Sequence, residues 1–205
     1  YGPISNETRE MVERLDSLIG VLRVGIKNLP HADKINLIVL SDHGMGEIDN
    51  SRYNYILDTL PQRMVKRIYG GSPVWAIEPF EEMTDSVLKY LNVQKGVKAF
   101  RKEELPSYLH YGTHMRIPGI VLIADPGWTA GIRPTPSGNN KGDHGFDFRW
   151  KEMHAVFYAE GPAFRKNKTV DTLYNVDIYN IISEILNMTP APNDGDPERI
   201  LPLLR

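Results

Sequence analysis

The chain has 205 residues, 41% of them hydrophobic and 24% charged, with a formal net charge of −2. That is enough for one sizeable core, with a single domain as the default, and it gives no electrostatic reason to expect a nucleic-acid duplex or an anionic membrane as partner. No apolar run approaches the ~20 residues of a membrane span, and the absence of cysteine excludes disulfides and thiolate metal sites, so any metal must be held by His and carboxylate.

The chain opens on Tyr1 with no secretory signal pattern behind it, which predicts a processed product or a piece of something longer. Residues 5–28 read as an amphipathic helix. Ser5 is the N-cap, Glu7 and Glu10 suit the positive end of the dipole, and Val12, Leu15, Ile19, Leu22 and Ile26 make one apolar stripe. Gly25, Asn28 and Pro30 end it. Ile35–Leu40 is short, apolar and β-branched, the pattern of a strand buried on both faces of a parallel sheet. Helix followed by buried strand predicts an α/β fold.

Residues 67–118 have a different texture. Strands at 74–77 and 97–100 flank a helix at 84–91, a small β-α-β unit read as an insertion. The core resumes in a second buried strand, Gly119–Ala124. A Gly/Pro/Asn-rich loop at 126–141 follows, then a strand over Met153–Ala159 and a helix over Asp177–Asn187. Pro190, Pro192 and Pro197 predict an extended tail.

The densest chemical signal is Ser41-Asp42-His43-Gly44-Met45, directly after the first buried strand, where open α/β sheets bind ligands. Asp and His together offer the oxygen and nitrogen donors that suit zinc. Adjacent residues point apart on a regular strand, so both reach one metal only where the strand has ended, and Gly44 supplies that freedom. The alternative is an ordinary strand-end turn with a capping Asp and a solvated His. Gly142-Asp143-His144-Gly145-Phe146-Asp147 repeats the Asp-His-Gly triplet, which points to two loops converging on one site; spacing alone leaves Asp143 and His144 both open as ligands. His31 reads as solvated and His154 as a packed or edge residue of its strand. His110 and His114 read as structural or surface residues, with a pocket lining as the alternative. Trp75, Trp128 and Trp150 read as packing residues, and Glu81-Glu82 and Lys102-Glu103-Glu104 as solvated faces or caps.

The segments Tyr1-Gly2-Pro3-Ile4-Ser5, the long helix with Arg14-Leu15-Asp16, Asn36-Leu37-Ile38-Val39-Leu40-Ser41-Asp42-His43-Gly44-Met45, the stretch from Leu105-Pro106 to His110-Tyr111, Gly142-Asp143-His144-Gly145-Phe146-Asp147, Met153-His154-Ala155-Val156-Phe157, Gly161-Pro162-Ala163-Phe164, Val176-Asp177-Ile178-Tyr179-Asn180 and Leu186-Asn187-Met188-Thr189-Pro190-Ala191-Pro192-Asn193 resemble the nucleotide pyrophosphatase/phosphodiesterase family of the alkaline phosphatase superfamily. The resemblance runs over nearly the whole chain and is least distinctive in the insertion. It implies an α/β, alkaline phosphatase-like three-layer sandwich, present in part, with a mostly parallel central sheet flanked by helices and a small β-α-β insertion. Residues 1–205 would be the C-terminal part of a catalytic domain, with 67–118 a subdomain within it.

The resemblance also implies two divalent metal ions, usually zinc. One takes an adjacent Asp-His pair, which maps to Asp42 and His43; the other takes the His of the later loop, which maps to His144. Asp143 stands at a position that is not a ligand in the family, and Phe148 stands where Asn commonly follows the Phe-Asp pair. The family's remaining ligands, its Thr nucleophile and its base-binding residues map to nothing here. The implied activity is hydrolysis of phosphodiester or pyrophosphate bonds in nucleotides or related small molecules, by a secreted, periplasmic or cell-surface protein, with these 205 residues inactive alone. Alternatives are another hydrolase of the superfamily (a sulfatase, phosphonate hydrolase or phosphomonoesterase) and a non-catalytic metal-binding module.

Overall fold

The computed structural model describes residues 1–136 and 138–205; of the loop expected at 126–141, Ser137 lies outside the described residues. The apolar repeat after Ser5 folds as helix α1 (Asn6–Lys27). Ser5 caps it, its Oγ accepting the Thr8 N–H at 3.1 Å. Among the described residues, strands follow as β1 (Leu37–Leu40), β2 (Gly46–Glu47), β3 (Tyr53–Tyr55), β4 (Val65–Gly71), β5 (Val74–Pro79), β6 (Val97–Arg101), β7 (Ile120–Ala124), β8 (Thr129–Gly131), β9 (Gly142–Asp143) and β10 (Phe157–Glu160). The later helices are α2 (Thr84–Asn92), α3 (Asp177–Ile185) and α4 (Pro197–Ile200).

The chain divides into two compact units, Tyr1–Met11 with His43–His154, and Val12–Asp42 with Ala155–Arg205. The first is built on a four-stranded antiparallel sheet in the order β4-β5-β7-β6. β5 buries alternate residues, Trp75 and Ile77, as a strand with one core face must. β7 sits between β5 and β6 and buries Ile120, Val121, Leu122 and Ala124. Helix α2 lays Val87 and Leu91, spaced one turn apart and fully buried, into the core with Ile77, Ile120 and Leu122. Asn92 ties α2 to β6, donating to the Ala99 carbonyl and accepting the Ala99 N–H. Two small ladders complete the unit: β3 with β8, parallel, and β2 with β9, antiparallel.

In the second unit β1 and β10 pair antiparallel, Leu37 opposite Glu160 and Leu40 opposite Phe157. Phe164, Ile181, Ile200, Leu203 and Leu204 form its core, with Ile38 and Phe157 packed against them. Asp177 is fully buried and accepts two guanidinium bonds from Arg199 at 2.8 and 2.9 Å, plus the N–H groups of Tyr174 and Asp196. Burial raises the pKa of this carboxyl, but Arg199 and the two N–H groups outweigh it and hold the value below the usual carboxylate range.

Several expectations are corrected. Of the mostly parallel sheet, only β3–β8 is parallel among the described pairings; β4 and β5 are joined by a two-residue turn, which permits only an antiparallel pair. The strand expected at 35–40 is shorter, and it is half-buried to exposed rather than buried on both faces. β7, expected apart from the insertion, hydrogen-bonds to both of the insertion's expected strands, and β4 joins them as an edge strand whose polar sequence concealed it. The 126–141 loop contains β8. Lys151–Met153 is a 3-10 turn, so His154 is an exposed residue ahead of β10 rather than a strand residue. α3 ends at Ile185, and Asn187 takes a positive φ of 52° beyond it. The stripe on α1 does not face a core: Val12, Leu15 and Leu22 are exposed, and Ile19 and Ile26 only half-buried.

Candidate metal centre

The two Asp-His-Gly loops are joined by the β2–β9 ladder. Gly46 pairs with Asp143 and Glu47 with Gly142, antiparallel, so the residues just before β2 run alongside those just after β9. His144 directly follows β9, and His43 stands three residues ahead of β2, beyond the position that the register sets opposite it. Their imidazoles stack with centroids 3.8 Å apart and planes 15° apart. His43 is half-buried and His144 exposed.

Backbone packing sets both histidines. Gly44 donates its N–H to the Met153 carbonyl at 2.9 Å, and a Cβ on Gly44 would lie 2.0 Å from the Glu152 carbonyl oxygen. Glycine is therefore required there for close approach of another backbone segment. On the other side Gly145 has φ +95°, a left-handed conformation that side chains disfavour, and it rests above the Pro73 ring. Phe146, next along, is buried, and its ring meets Trp150 edge-on at 5.1 Å. Trp150 in turn lies against Gly46. Trp75 donates from Nε1 to the Ala130 carbonyl. Both tryptophans pack, as expected.

The donor chemistry fits a metal ligand at His43. Its Nδ1 lies 2.7 Å from the Gly44 carbonyl oxygen, which assigns the proton to Nδ1 and the ring lone pair to Nε2. Metal-bound histidines characteristically make this bond with the second ring nitrogen. Asp143 uses its Oδ1 locally, accepting the His144 N–H at 2.9 Å. Asp42 is exposed and precedes His43 in the chain. Among the described residues no group of three His, Asp or Glu side chains converges as a cage, so the nitrogen pair is an incomplete donor set for zinc, which takes three or four protein ligands. His31, His110, His114 and His154 are all exposed; the His114 Nδ1 accepts the Arg116 N–H, and His110 takes a positive φ of 47°.

A cluster that sequence reasoning missed lies three residues beyond His144. Asp147 Oδ2 accepts the Tyr108 hydroxyl at 2.7 Å, and Arg149 grips both Asp147 oxygens through Nε and a terminal nitrogen. The Arg149 guanidinium lies over the Tyr108 ring, 4.0 Å from its centroid. Arg149 foremost, with Tyr108 adding to it, holds the Asp147 carboxyl down at about 2 against the opposing effect of burial. Burial, then Asp147, push the Tyr108 phenol up. The tyrosine stands in a Pro-Ser-Tyr-Leu segment whose sequence carries no mark of this role.

Comparison with known proteins bears on this geometry. The profile described as type I phosphodiesterase / nucleotide pyrophosphatase matches residues 1–147. Ectonucleotide pyrophosphatase/phosphodiesterase family member 7 of Mus musculus is 30% identical over 211 residues, covering 100% of this chain and 48% of that protein. The Mus musculus bis(5'-adenosyl)-triphosphatase is 35% identical over 196 residues, covering 95% of this chain and 42% of its own length. Among solved structures, an inactive variant of murine ectonucleotide pyrophosphatase/phosphodiesterase 5 in complex with AMP superposes with a TM-score of 0.88 at 32% identity, over 99% of this chain and 54% of that one. The chain thus spans about half the length of these relatives. Sequence profile, relatives and superposition agree that the chain belongs to the type I phosphodiesterase / nucleotide pyrophosphatase family.

Proposed function

We propose that the protein hydrolyses phosphodiester or pyrophosphate bonds in nucleotides or related small molecules, and that Asp42, His43 and His144 contribute part of a two-zinc centre. The stack of His43 on His144 carries this reading, because it puts imidazoles from both Asp-His-Gly loops at one point. Family membership and the AMP-bound relative support the substrate class.

Zinc, when bound, supplies Lewis acidity and neutralises the charge of the reacting phosphoryl group. His43 donates to the Gly44 carbonyl from Nδ1 and so presents Nε2 as a ligand atom. Asp42 would add a carboxylate from the neighbouring position in the chain, and His144 would serve the second ion. Gly44 and Gly145 fix where those side chains leave the backbone. The nucleophile of this reading is a Thr hydroxyl outside these 205 residues, as are the remaining ligands; it attacks phosphorus, expels the leaving group and is released from the phosphoryl ester by water. A fragment with only part of the donor set and without that hydroxyl is expected to be inactive, as the C-terminal part of a larger catalytic domain. Extracellular or cell-surface placement accords with the relatives' names, and no helix among the described residues is long and apolar enough to cross a membrane.

The experiment is an assay of the full-length protein on a chromogenic phosphodiester, on a sulfate ester and on a phosphomonoester, with and without a zinc chelator. Zinc-dependent turnover of the diester, abolished in folded His43→Ala and His144→Ala variants, supports the reading. Preference for the sulfate ester or the monoester, or zinc binding with no turnover at all, replaces it by one of its rivals.

A further inference from the structure

We propose that Tyr108 is a positioning residue for His144, acting through Asp147 and Arg149 as a clamp on the loop that carries the imidazole. The inference rests on the metal-centre reading above for what His144 does, but not for how the loop is held.

The loop needs such a hold. His144 stands between the end of β9 at Asp143 and Gly145. Upstream, its backbone is fixed by the two-residue β2–β9 ladder, the shortest in the unit's described pairings. Downstream, Gly145 at φ +95° gives the chain the widest conformational freedom any residue allows. An imidazole beside a glycine keeps its place only if the segment beyond is anchored. Two anchors are present. The Phe146 ring is buried and set against Trp150, which fixes depth. The Asp147 carboxylate fixes direction, because every contact it makes has a defined angle. Oδ2 accepts from the Tyr108 hydroxyl and from Arg149, and Oδ1 accepts from the Arg149 backbone N–H and Nε.

The division of labour inside the clamp follows from sequence distance. Arg149 is two residues from Asp147, so their ion pair travels with the loop and by itself ties it to nothing else. Tyr108 belongs to a separate 3-10 turn, Ser107–Leu109, and ties the Asp147 carboxylate to another part of the unit by a side-chain hydrogen bond, where Gly145 on Pro73 and Trp150 on Gly46 make only packing contacts. Its ring also meets Phe148 edge-on at 5.6 Å and lies beneath the Arg149 guanidinium, so the tyrosine touches the three consecutive residues 147–149. A charge-assisted O–H···O⁻ bond at 2.7 Å is among the stronger single hydrogen bonds available. Direct hydrogen-bond partners of metal-bound histidines change metal affinity by about 10–100-fold when removed, and a hold on the loop three residues from the ligand is expected at the low end of that range.

The test uses the full-length protein, with Tyr108→Phe as the decisive variant because it removes one oxygen and keeps the ring beneath Arg149. Asp147→Ala is the second variant. In the metal-free protein, both should speed amide exchange at residues 144–146 and shift the His144 ring resonance away from its stacked position, while exchange in β5 and β7 stays unchanged. In zinc titrations, affinity should fall about tenfold. At saturating zinc, kcat should recover towards the wild-type value with KM unaltered, a pattern that general loss of stability does not produce. Unchanged exchange at 144–146 in a folded Tyr108→Phe overturns the proposal, as does faster exchange without any loss of zinc affinity. Failure of the wild type to bind zinc counts against the metal centre itself; the clamp is then judged, for or against, by the exchange and ring-shift results alone.

Discussion

His43 and His144 lie face to face, ring centroids 3.8 Å apart, although they stand in loops at opposite ends of the β2-to-β9 stretch. The proposed metal centre gives this packing contact a donor role as well, and phenylalanine separates the two, since it keeps an aromatic face and removes the nitrogens. His43→Phe and His144→Phe in the full-length protein should change folding stability by less than about 1 kcal/mol, while each lowers zinc affinity by at least tenfold, roughly. Paired thermal melts and zinc calorimetry check this. Equal loss of both properties would assign the stack to structure alone.

Gly44 is expected to tolerate no side chain. A methyl group there would sit 2.0 Å from the Glu152 carbonyl oxygen and 2.7 Å from that of His154, and backbone cannot swing aside as a flexible side chain can. Gly44→Ala should destabilise the protein by about 2–3 kcal/mol and weaken zinc binding with it. Chemical denaturation measures the first and calorimetry the second. A neutral Gly44→Ala would show that the 152–154 segment gives way.

In the second unit the buried Asp177 depends on Arg199. Arg199→Met leaves a fully buried carboxylate with only the Tyr174 and Asp196 N–H groups, and should cost about 3 kcal/mol. The double variant Asp177→Asn with Arg199→Met should recover part of that loss, because the stranded charge is then gone. A double-mutant cycle in urea decides it.

Glu160 makes one part of the stability depend on pH. Arg23 foremost, with Tyr158 and Lys27 assisting against burial, holds its carboxyl down at about 2. The folded value lies below the unfolded one of about 4.3, so the contribution is complete above that unfolded value and is lost as pH falls towards 2. Glu160→Gln should therefore lower the melting temperature at pH 7 and leave it nearly unchanged near pH 2. High salt should shrink the difference at pH 7, since both side chains are about one-third exposed. A melting series across pH, wild type against variant, reads all three effects.

Elements whose apolar period is local were legible in the sequence. α1, β5, α2, β6, β7 and α3 all lie within two or three residues of their expected bounds, because side-chain spacing alone decides between helix and strand there. Pairing was not legible. Leu37–Leu40 looks the same in sequence whether its neighbour runs parallel or antiparallel, and that neighbour, β10, comes from a distant segment. β4 was missed because an edge strand exposes Lys66, Arg67 and Tyr69 and so loses the apolar run. β2, β3, β8 and β9 are too short to show any period. The doubled Asp-His-Gly triplet pointed to two converging loops, and the rings of His43 and His144 do meet. Tyr108 and Arg149 stayed hidden, since a tyrosine in a turn and an exposed arginine announce nothing until the fold places them on one carboxylate. Gly44 was read as a source of backbone freedom, whereas its role is to admit a neighbouring main chain.

The β2–β9 ladder also has a consequence in time. β4 and β5 meet across a two-residue turn, so their hairpin closes at small entropic cost and early. β2 and β9 flank the entire four-stranded sheet in sequence, and they meet only once that sheet has drawn the intervening chain together. The meeting of the two imidazoles is therefore non-local: it depends on the whole four-stranded sheet between the two loops and is expected among the later contacts to form.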